Sequence, residues 1–130
     1  MDFVTLLKRL ISFPSITPDD GGSIDFIAAI LRDHGFSVHV IEFGPNKVKN
    51  LYAFYYGARK GRNICFAGHV DVVPPGEGWD SDPFVATEQN GRIYGRGAVD
   101  MKGALACMLS AVISFIKQDK FVGAISFLIT

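Results

Sequence analysis

Two amphipathic segments open the chain. Apolar side chains recur every three or four positions between residues 3 and 11, and again from Ser23 to His34. This period places them on one face of a helix. Phe13-Pro14 is a natural end for the first segment and Gly35 for the second. The pattern predicts helices at 3–11 and 23–34, separated by the loop "SITPDDGG".

Four further segments have the character of strands. "FSVHVIEF" alternates apolar and polar positions, whereas "LYAFYY", "NICFAG" and "VGAISFLIT" are almost entirely apolar. Alternation is typical of a strand with one buried face, and continuous apolar character of a strand covered on both faces. The polar "NKVKN" is predicted to separate the first two strands, and "GARKG" to form a turn before the third.

A long loop and a strong helix complete the pattern. Residues 74–103 are rich in Gly, Pro and Asp, with short strands predicted around Val85 and Ile93. The helical period then runs from Lys102 to Gln118, and an apolar strand follows. A strand, a crossover helix and a strand in this order indicate parallel pairing. We predict a single α/β domain whose mostly parallel or mixed sheet is flanked by helices, with strands 63–68 and 122–130 as neighbours or nearly so.

Polar residues at the end of the third strand are the first candidates for chemistry. His69 and Asp71 share one side of an extended segment, while Val70 and Val72 point into the core. Asp100 precedes the strong helix, where it could equally be an N-cap. Imidazole and carboxylate together suit zinc, and a carboxylate can bridge two metal ions. Asp71 is better placed to orient His69 through its second ring nitrogen.

A different interpretation of this region is a dinucleotide loop. Gly95 and Gly97 precede a helix, as the first glycines of such a loop do. The third glycine position is taken by Asp100, whose charge repels a pyrophosphate. The metal site is therefore the stronger hypothesis, and His34 and His39 are expected to be structural.

Composition and charge argue against nucleic-acid binding, secretion and membrane insertion. Thirteen basic and thirteen acidic side chains cancel, so a nucleic-acid partner is not expected. Lys8 and Arg9 interrupt the first apolar stretch, which excludes a signal peptide, and the run "ALACMLSAVISFI" falls short of the roughly 20 residues of a membrane span. We expect a soluble, cytoplasmic protein with no membrane partner. Cys65 and Cys107 lie in apolar segments and are expected to be buried, unpaired thiols.

The motifs "GHVDVVPPGEGWDSDPF" and "NGRIYGRGAVDMKGA" resemble those of the dinuclear zinc aminoacylase and carboxypeptidase family. The resemblance extends from "LISFPSITPDDGG" to "ISFLIT". It implies two zinc ions, with cobalt as an alternative in one site. It also implies that His69 binds one zinc, that Asp71 is the catalytic-site residue that orients His69, and that Asp100 bridges both metals. In that family the bond between the residues matching Asp100 and Met101 is typically cis.

The resemblance implies an enzyme that hydrolyses the amide of a small N-acyl amino acid. The members most similar to the chain remove succinate from an N-succinyl diamino dicarboxylic acid, for lysine and cell-wall synthesis, and act as homodimers. Removal of an acetyl group from N-acetylornithine is an alternative. A non-catalytic binding module that keeps the family core is an alternative of another class.

The resemblance also indicates what the chain is expected to lack. In the family, a strand such as "ISFLIT" is followed by an acidic motif with the general base glutamate and a further zinc ligand. A later carboxylate, a lid domain and a C-terminal histidine complete the enzyme. We therefore expect residues 1–130 to be the N-terminal part of a catalytic domain, and to be inactive alone.

Overall fold

The computed structural model describes residues 2–118 and 120–130. Its helices are α1 (Phe3–Ile11), α2 (Ser23–Asp33) and α3 (Gly103–Gln118). Asp2 caps α1 by accepting a hydrogen bond from the Thr5 backbone N–H at 3.0 Å. The helices predicted from the apolar period are confirmed to within one residue at each end.

The strands are β1 (Ser37–Phe43), β2 (Val48–Tyr56), β3 (Arg59–Gly68), β4 (Thr87–Gln89), β5 (Arg92–Tyr94) and β6 (Val122–Ile129). Four of them form one sheet in the order β1-β2-β6-β3, and β4 and β5 form a small separate hairpin. Strands β3 and β6 are parallel, whereas the β1–β2 and β2–β6 pairs are antiparallel. The predicted mixed α/β sheet is confirmed, and so is the pairing of strands 63–68 and 122–130.

Three predicted strand boundaries were wrong. "NKVKN" separates β1 from β2 only through Asn46 and Lys47, because Val48 already belongs to β2 and pairs with Phe43. "GARKG" is not a turn between paired strands, because β3 already begins at Arg59 and β6 lies between β2 and β3. The short strand expected at Val85 begins at Thr87, because the Val85 backbone N–H closes a turn onto the Asp82 carbonyl at 3.0 Å.

The sheet buries one face only. Its inward side chains join the buried faces of all three helices in one core, to which the sheet contributes Leu51, Ala53, Ile125, Phe127 and Ile129. Among the described residues, no helix covers the other face. Its exposed apolar side chains, which we call the open sheet face, are Ile41, Phe43, Val48, Tyr52, Tyr56, Val122 and Leu128.

The open sheet face corrects two expectations. The apolar strands were predicted to be covered on both sides, but α1, α2 and α3 pack on the same side. Cys65 and Cys107 were predicted to be buried, yet both are exposed free thiols. Cys65 lies on the uncovered side of β3, and Cys107 on the side of α3 that faces away from the core. An apolar neighbourhood in the sequence does not tell which face of an element is covered.

The helical stretch Ala98–Lys117 is long and apolar enough to cross a membrane by length and composition alone. Leu105, Leu109 and Val112 of this stretch are buried against the sheet and α1, although only 33% of its apolar window is buried. One such helix does not by itself indicate a membrane span.

Candidate metal site

The end of β3 brings His69 to the rim of the sheet. Gly68 precedes it at a position where a Cβ atom would lie 2.9 Å from Leu105 Cδ2 and 3.0 Å from Met101 Cε. A larger residue at this position would require the Leu105 and Met101 side chains to shift. The His69 backbone N–H points to Met101 Sδ at 3.4 Å. The strand end and the turn before α3 are thus in direct contact.

Residues 70–72 continue β3 in extended form and hold Asp71 beside His69. The Val70 backbone N–H donates to the Thr130 carbonyl at 2.8 Å, and the Val72 backbone N–H donates to the Ser15 carbonyl at 2.8 Å. Val70 and Val72 are buried, whereas the side chains of His69 and Asp71 are partly exposed. The predicted alternation of core-facing and site-facing residues is confirmed.

Asp100 lies in a widened turn that precedes α3. The turn spans Ala98–Lys102 and is closed by the Lys102 backbone N–H donating to the Gly97 carbonyl at 2.9 Å. Asp100 itself is extended, at φ −125° and ψ 99°, and lies three residues before α3 begins at Gly103, so it is not the N-cap of α3. The expected cis bond between Asp100 and Met101 is confirmed. The turn presents the Asp100 carboxylate to solvent, with the side chain 84% exposed.

Gly97 allows this turn to form. Its φ is +81°, a left-handed value that favours glycine, and a Cβ atom there would lie 2.6 Å from Val72 Cγ1. The requirement for glycine is therefore explained by backbone conformation and packing. The interpretation of Gly95 and Gly97 as a dinucleotide loop has no support in this geometry.

The structure brings all three predicted side chains together. His69 Nδ1 lies 3.2 Å from Asp71 Oδ1 and 3.1 Å from the Asp71 backbone carbonyl oxygen. His69 Nε2 lies 3.1 Å from Asp100 Oδ1. We expected Asp71 to lie nearer the ring than Asp100, and this was wrong because the two carboxylates are equally close. They differ instead in the ring nitrogen that each contacts.

The different contacts of Nδ1 and Nε2 determine which ring nitrogen carries the proton and which one is free to bind a metal. Both oxygens near Nδ1 are acceptors, so they favour a proton on Nδ1 and leave the Nε2 lone pair free. Nε2 then faces a carboxylate oxygen that is also an acceptor. Two acceptors at 3.1 Å repel each other unless a proton or a cation lies between them.

The separation of His69 Nε2 and Asp100 Oδ1 suits two ligands of one zinc ion. Zinc binds histidine nitrogen and carboxylate oxygen at roughly 2.0–2.2 Å, so two ligands of one tetrahedral ion are separated by about 3.3 Å. The separation of 3.1 Å between Nε2 and Oδ1 is close to that value. Within the described residues, however, no group of three or more His, Cys, Asp and Glu side chains is arranged to hold a metal ion. The described residues therefore offer two ligands, which is an incomplete set.

A cavity of about 290 Å³ opens onto these groups, lined by His69, Asp71, Arg96, Gly97 and Asp100 among others. Arg96 fixes one wall of this cavity. Its guanidinium donates to the Pro75 carbonyl at 2.7 Å and lies over the Trp79 ring. Trp79 Nε1–H donates to the same carbonyl at 2.9 Å. The Pro- and Gly-rich loop after Asp71 is thus held as a wall of the cavity.

The other two histidines lie away from the cavity, as expected for structural residues. His34 Nδ1 lies 2.8 Å from the Ile30 carbonyl oxygen at the end of α2. His39 lies in β1 and stacks on Phe54.

Lys102 is a residue of this region that sequence reasoning missed. Its side chain is fully buried beneath the turn and donates from Nζ to the Phe13 carbonyl oxygen at 2.7 Å. Burial lowers the pKa of Lys102 to about 8, because desolvation disfavours its charged form. The sequence placed Lys102 at the start of the predicted helix, but nothing there indicated that the carbonyl of Phe13 would lie within reach.

The buried Lys102 predicts a pH-dependent stability. Its pKa is lower in the folded state than in the unfolded state, so the unfolded state binds more protons between about pH 8 and pH 10.5. The free energy of unfolding should therefore rise across that window relative to Lys102→Met, by on the order of 3 kcal/mol. Unfolding of both proteins at pH 7 and pH 10 measures this difference. An equal pH dependence in wild type and variant would contradict it.

Residues 65–130 match the model of peptidase family M20/M25/M40. The chain belongs to this family. The succinyl-diaminopimelate desuccinylase of Orientia tsutsugamushi (strain Ikeda) is 56% identical over 131 residues, which cover 98% of the chain and 33% of the relative. That of the Wolbachia of Brugia malayi is 52% identical over 135 residues, covering the whole chain and 33% of the relative. The chain thus spans about a third of the length of these relatives.

Solved structures of M20 proteins have the same fold. Human carnosine dipeptidase 1 superposes with a TM-score of 0.86 at 30% identity, over 98% of the chain and 31% of the dipeptidase. An M20 family metallo-carboxypeptidase of Sulfolobus solfataricus has a TM-score of 0.86 at 25% identity, over 99% of the chain and 30% of that enzyme. The mixed sheet with three helices is therefore also present in the matching part, about 30% of the length, of these two proteins.

Proposed function

We propose that the chain is the N-terminal part of the catalytic domain of a metal-dependent amidohydrolase, and that its reaction is the hydrolysis of N-succinyl-LL-2,6-diaminopimelate to succinate and LL-diaminopimelate. Identity of 52–56% to succinyl-diaminopimelate desuccinylases along nearly the whole chain carries this proposal. The remaining two thirds of the length of those relatives would supply the rest of the catalytic domain and the lid.

The metal-binding groups of the chain are His69 and Asp100. His69 would hold a zinc through Nε2, and the exposed Asp100 carboxylate, which has two oxygens, would hold metal beside it. Bound metal would polarise the substrate amide and lower the pKa of water. Asp71 holds the proton on His69 Nδ1, so that Nε2 stays available. Cobalt in place of zinc at one of the two positions is part of this proposal.

The reaction needs groups that the described residues do not offer. Hydrolysis breaks the amide C–N bond, adds hydroxide to the succinyl carbonyl carbon and delivers a proton to the leaving amine. We assign the proton transfer to a glutamate outside this chain, and the remaining zinc ligands to the same missing part. The cytoplasm is the proposed location, with a homodimer as the full-length assembly.

The substrate assignment is tested with the full-length protein. N-succinyl-diaminopimelate and N-acetylornithine are compared at equal zinc, and kcat/KM should favour the succinyl substrate by about a hundredfold or more. A preference for N-acetylornithine would support a deacetylase instead. The absence of zinc-dependent hydrolysis of any N-acyl amino acid would favour the non-catalytic module.

A conservative change tests the role of Asp71. Asp71→Asn keeps the shape of the side chain but removes the charge that favours the proton on His69 Nδ1. The full-length variant should bind zinc about 10–100-fold more weakly and hydrolyse its substrate more slowly. A zinc competition titration measures the affinity. Asp82→Asn, in the loop before β4, is the matched control and should leave the zinc affinity unchanged.

A further inference from the structure

The loop after α1 lies along the segment that carries Asp71. Ile16 and Val72 form an isolated parallel bridge, and the Thr17 backbone N–H donates to the Val72 carbonyl at 3.3 Å. The buried Ser15 hydroxyl donates to the Val70 carbonyl at 2.6 Å. The loop "SITPDDGG" is therefore built into the rim of the sheet, although the reaction as described gives it no role.

Thr17 contributes a side-chain contact to this rim. Its hydroxyl donates to Asp71 Oδ2 at 2.7 Å. The other oxygen of the same carboxylate, Oδ1, lies 3.2 Å from His69 Nδ1. Thr17, Asp71 and His69 thus form one chain of contacts, in which the two oxygens of Asp71 face in two directions.

We propose that Thr17 is a positioning residue of the metal site, which acts on His69 through Asp71. This inference rests on the proposed function of His69 as a metal ligand. The Thr17 hydroxyl fixes the rotation of the Asp71 carboxylate, so that Oδ1 faces Nδ1. A rigid carboxylate holds the imidazole in one tautomer and one orientation, and so prepares Nε2 for the metal.

The hydroxyl is not required to hold the loop in place. Three hydrogen bonds attach residues 15–17 to residues 70–72 without it, namely those of the Thr17 N–H, the Val72 N–H and the Ser15 hydroxyl. Removal of the hydroxyl should therefore leave the loop docked and release only the carboxylate. The Asp71 side chain is 47% exposed, so it is free to turn toward water once released.

Release of Asp71 changes what His69 Nδ1 contacts. The Asp71 backbone carbonyl oxygen remains at 3.1 Å, but it is neutral. A neutral acceptor favours the proton on Nδ1 less strongly than a carboxylate does, so Nε2 becomes a weaker ligand. We expect a loss of zinc affinity of about 3–10-fold, smaller than that of Asp71→Asn because the carboxylate is still present.

The experiment compares Thr17→Val, which removes the hydroxyl at nearly constant shape, with Thr17→Ser, which keeps it. Thr87→Val in β4 is the matched control, because its hydroxyl contacts only Ser81 and Val85. Zinc affinity of the full-length proteins is measured by competition with a chelator. The tautomer of His69 in the metal-free proteins is read from imidazole ¹⁵N shifts at a pH where the ring is neutral.

Thr17→Val should weaken zinc binding and lower the Nδ1–H fraction of His69, whereas Thr17→Ser and Thr87→Val should match wild type. In Thr17→Val combined with Asp71→Asn, zinc affinity should equal that of Asp71→Asn alone, because both changes act through one carboxylate. Additive losses would overturn the inference, as would unchanged affinity and tautomer in Thr17→Val. Thr17→Ala repeats the test if the valine variant does not fold. If His69→Ala leaves zinc binding intact, it is the proposed metal site that fails.

Discussion

Replacement of His69 or Asp100 by alanine should abolish zinc-dependent amide hydrolysis in the full-length protein. Each change removes one of the two groups that we propose as metal ligands among the described residues, and loss of the Asp100 carboxylate, which is proposed to bridge two metals, should affect both of them. We expect kcat/KM to fall about 10³-fold or more, together with the loss of at least one bound zinc per protomer. Metal content after dialysis and steady-state hydrolysis measure the two effects.

Matched controls separate this loss from damage to the fold. His39→Ala removes a histidine from β1, at the opposite edge of the sheet, and Asp33→Asn changes a carboxylate at the end of α2. Both should keep metal and activity near wild type. If His69→Ala retained two zinc ions and most of its activity, the assignment of His69 as a metal ligand would be wrong.

The second large effect is expected for residues 1–130 produced alone. This chain should bind zinc weakly or not at all and hydrolyse no N-succinyl substrate. A catalytic zinc generally has three protein ligands and a water molecule, whereas the described residues offer only His69 Nε2 and Asp100 Oδ1. Zinc titration and an amide hydrolysis assay on this chain and on the full-length protein test the expectation. Robust zinc-dependent turnover by residues 1–130 would mean that the catalytic groups are misassigned.

The same chain should also associate with itself or dissolve poorly. The open sheet face includes Phe43 at 77% and Tyr56 at 72% exposure, and contiguous apolar surface of this kind favours association. Tyr56→Lys should reduce the association seen by sedimentation. Val85→Lys, which changes an exposed residue outside the sheet, should not. Equal association of all three chains would show that the open sheet face is not responsible.

Local pattern was sufficient to predict most of the elements. The helical period gave α1 and α2 nearly residue by residue, because each has a clear apolar face and a stop signal after it. The pairing of β3 with β6 followed from the single crossover helix between them. The boundaries of β2 and β3 were missed because both strands have polar residues at or next to their first position: Lys49 pairs with Asp25 of α2, and Arg59 lies at an exposed strand end.

The site was predictable in its members but not in its geometry. His69, Asp71 and Asp100 were found from their residue types and their places at element ends. The equal distances of the two carboxylates depend on a turn in which Asp100 is extended, and no local pattern encodes its dihedral angles. The contacts of Thr17 and Lys102 join residues 54 and 89 positions apart in sequence, so they appear only once the chain has folded.

The order of the strands has a consequence for biosynthesis. Within the described residues, β3 hydrogen-bonds only to β6, whose partner residues lie about sixty positions later. During synthesis on the ribosome, α1, α2 and the β1–β2 hairpin can form early, because their partners are close in sequence. Strand β3 cannot pair until β6 has been translated and has left the ribosome. His69 and Asp100 are therefore expected to meet at the last step of folding of this chain. Incorporation of the metal would then follow translation of both β6 and the further ligands proposed to lie outside residues 1–130, so a nascent chain that ends at β6 should not yet retain zinc.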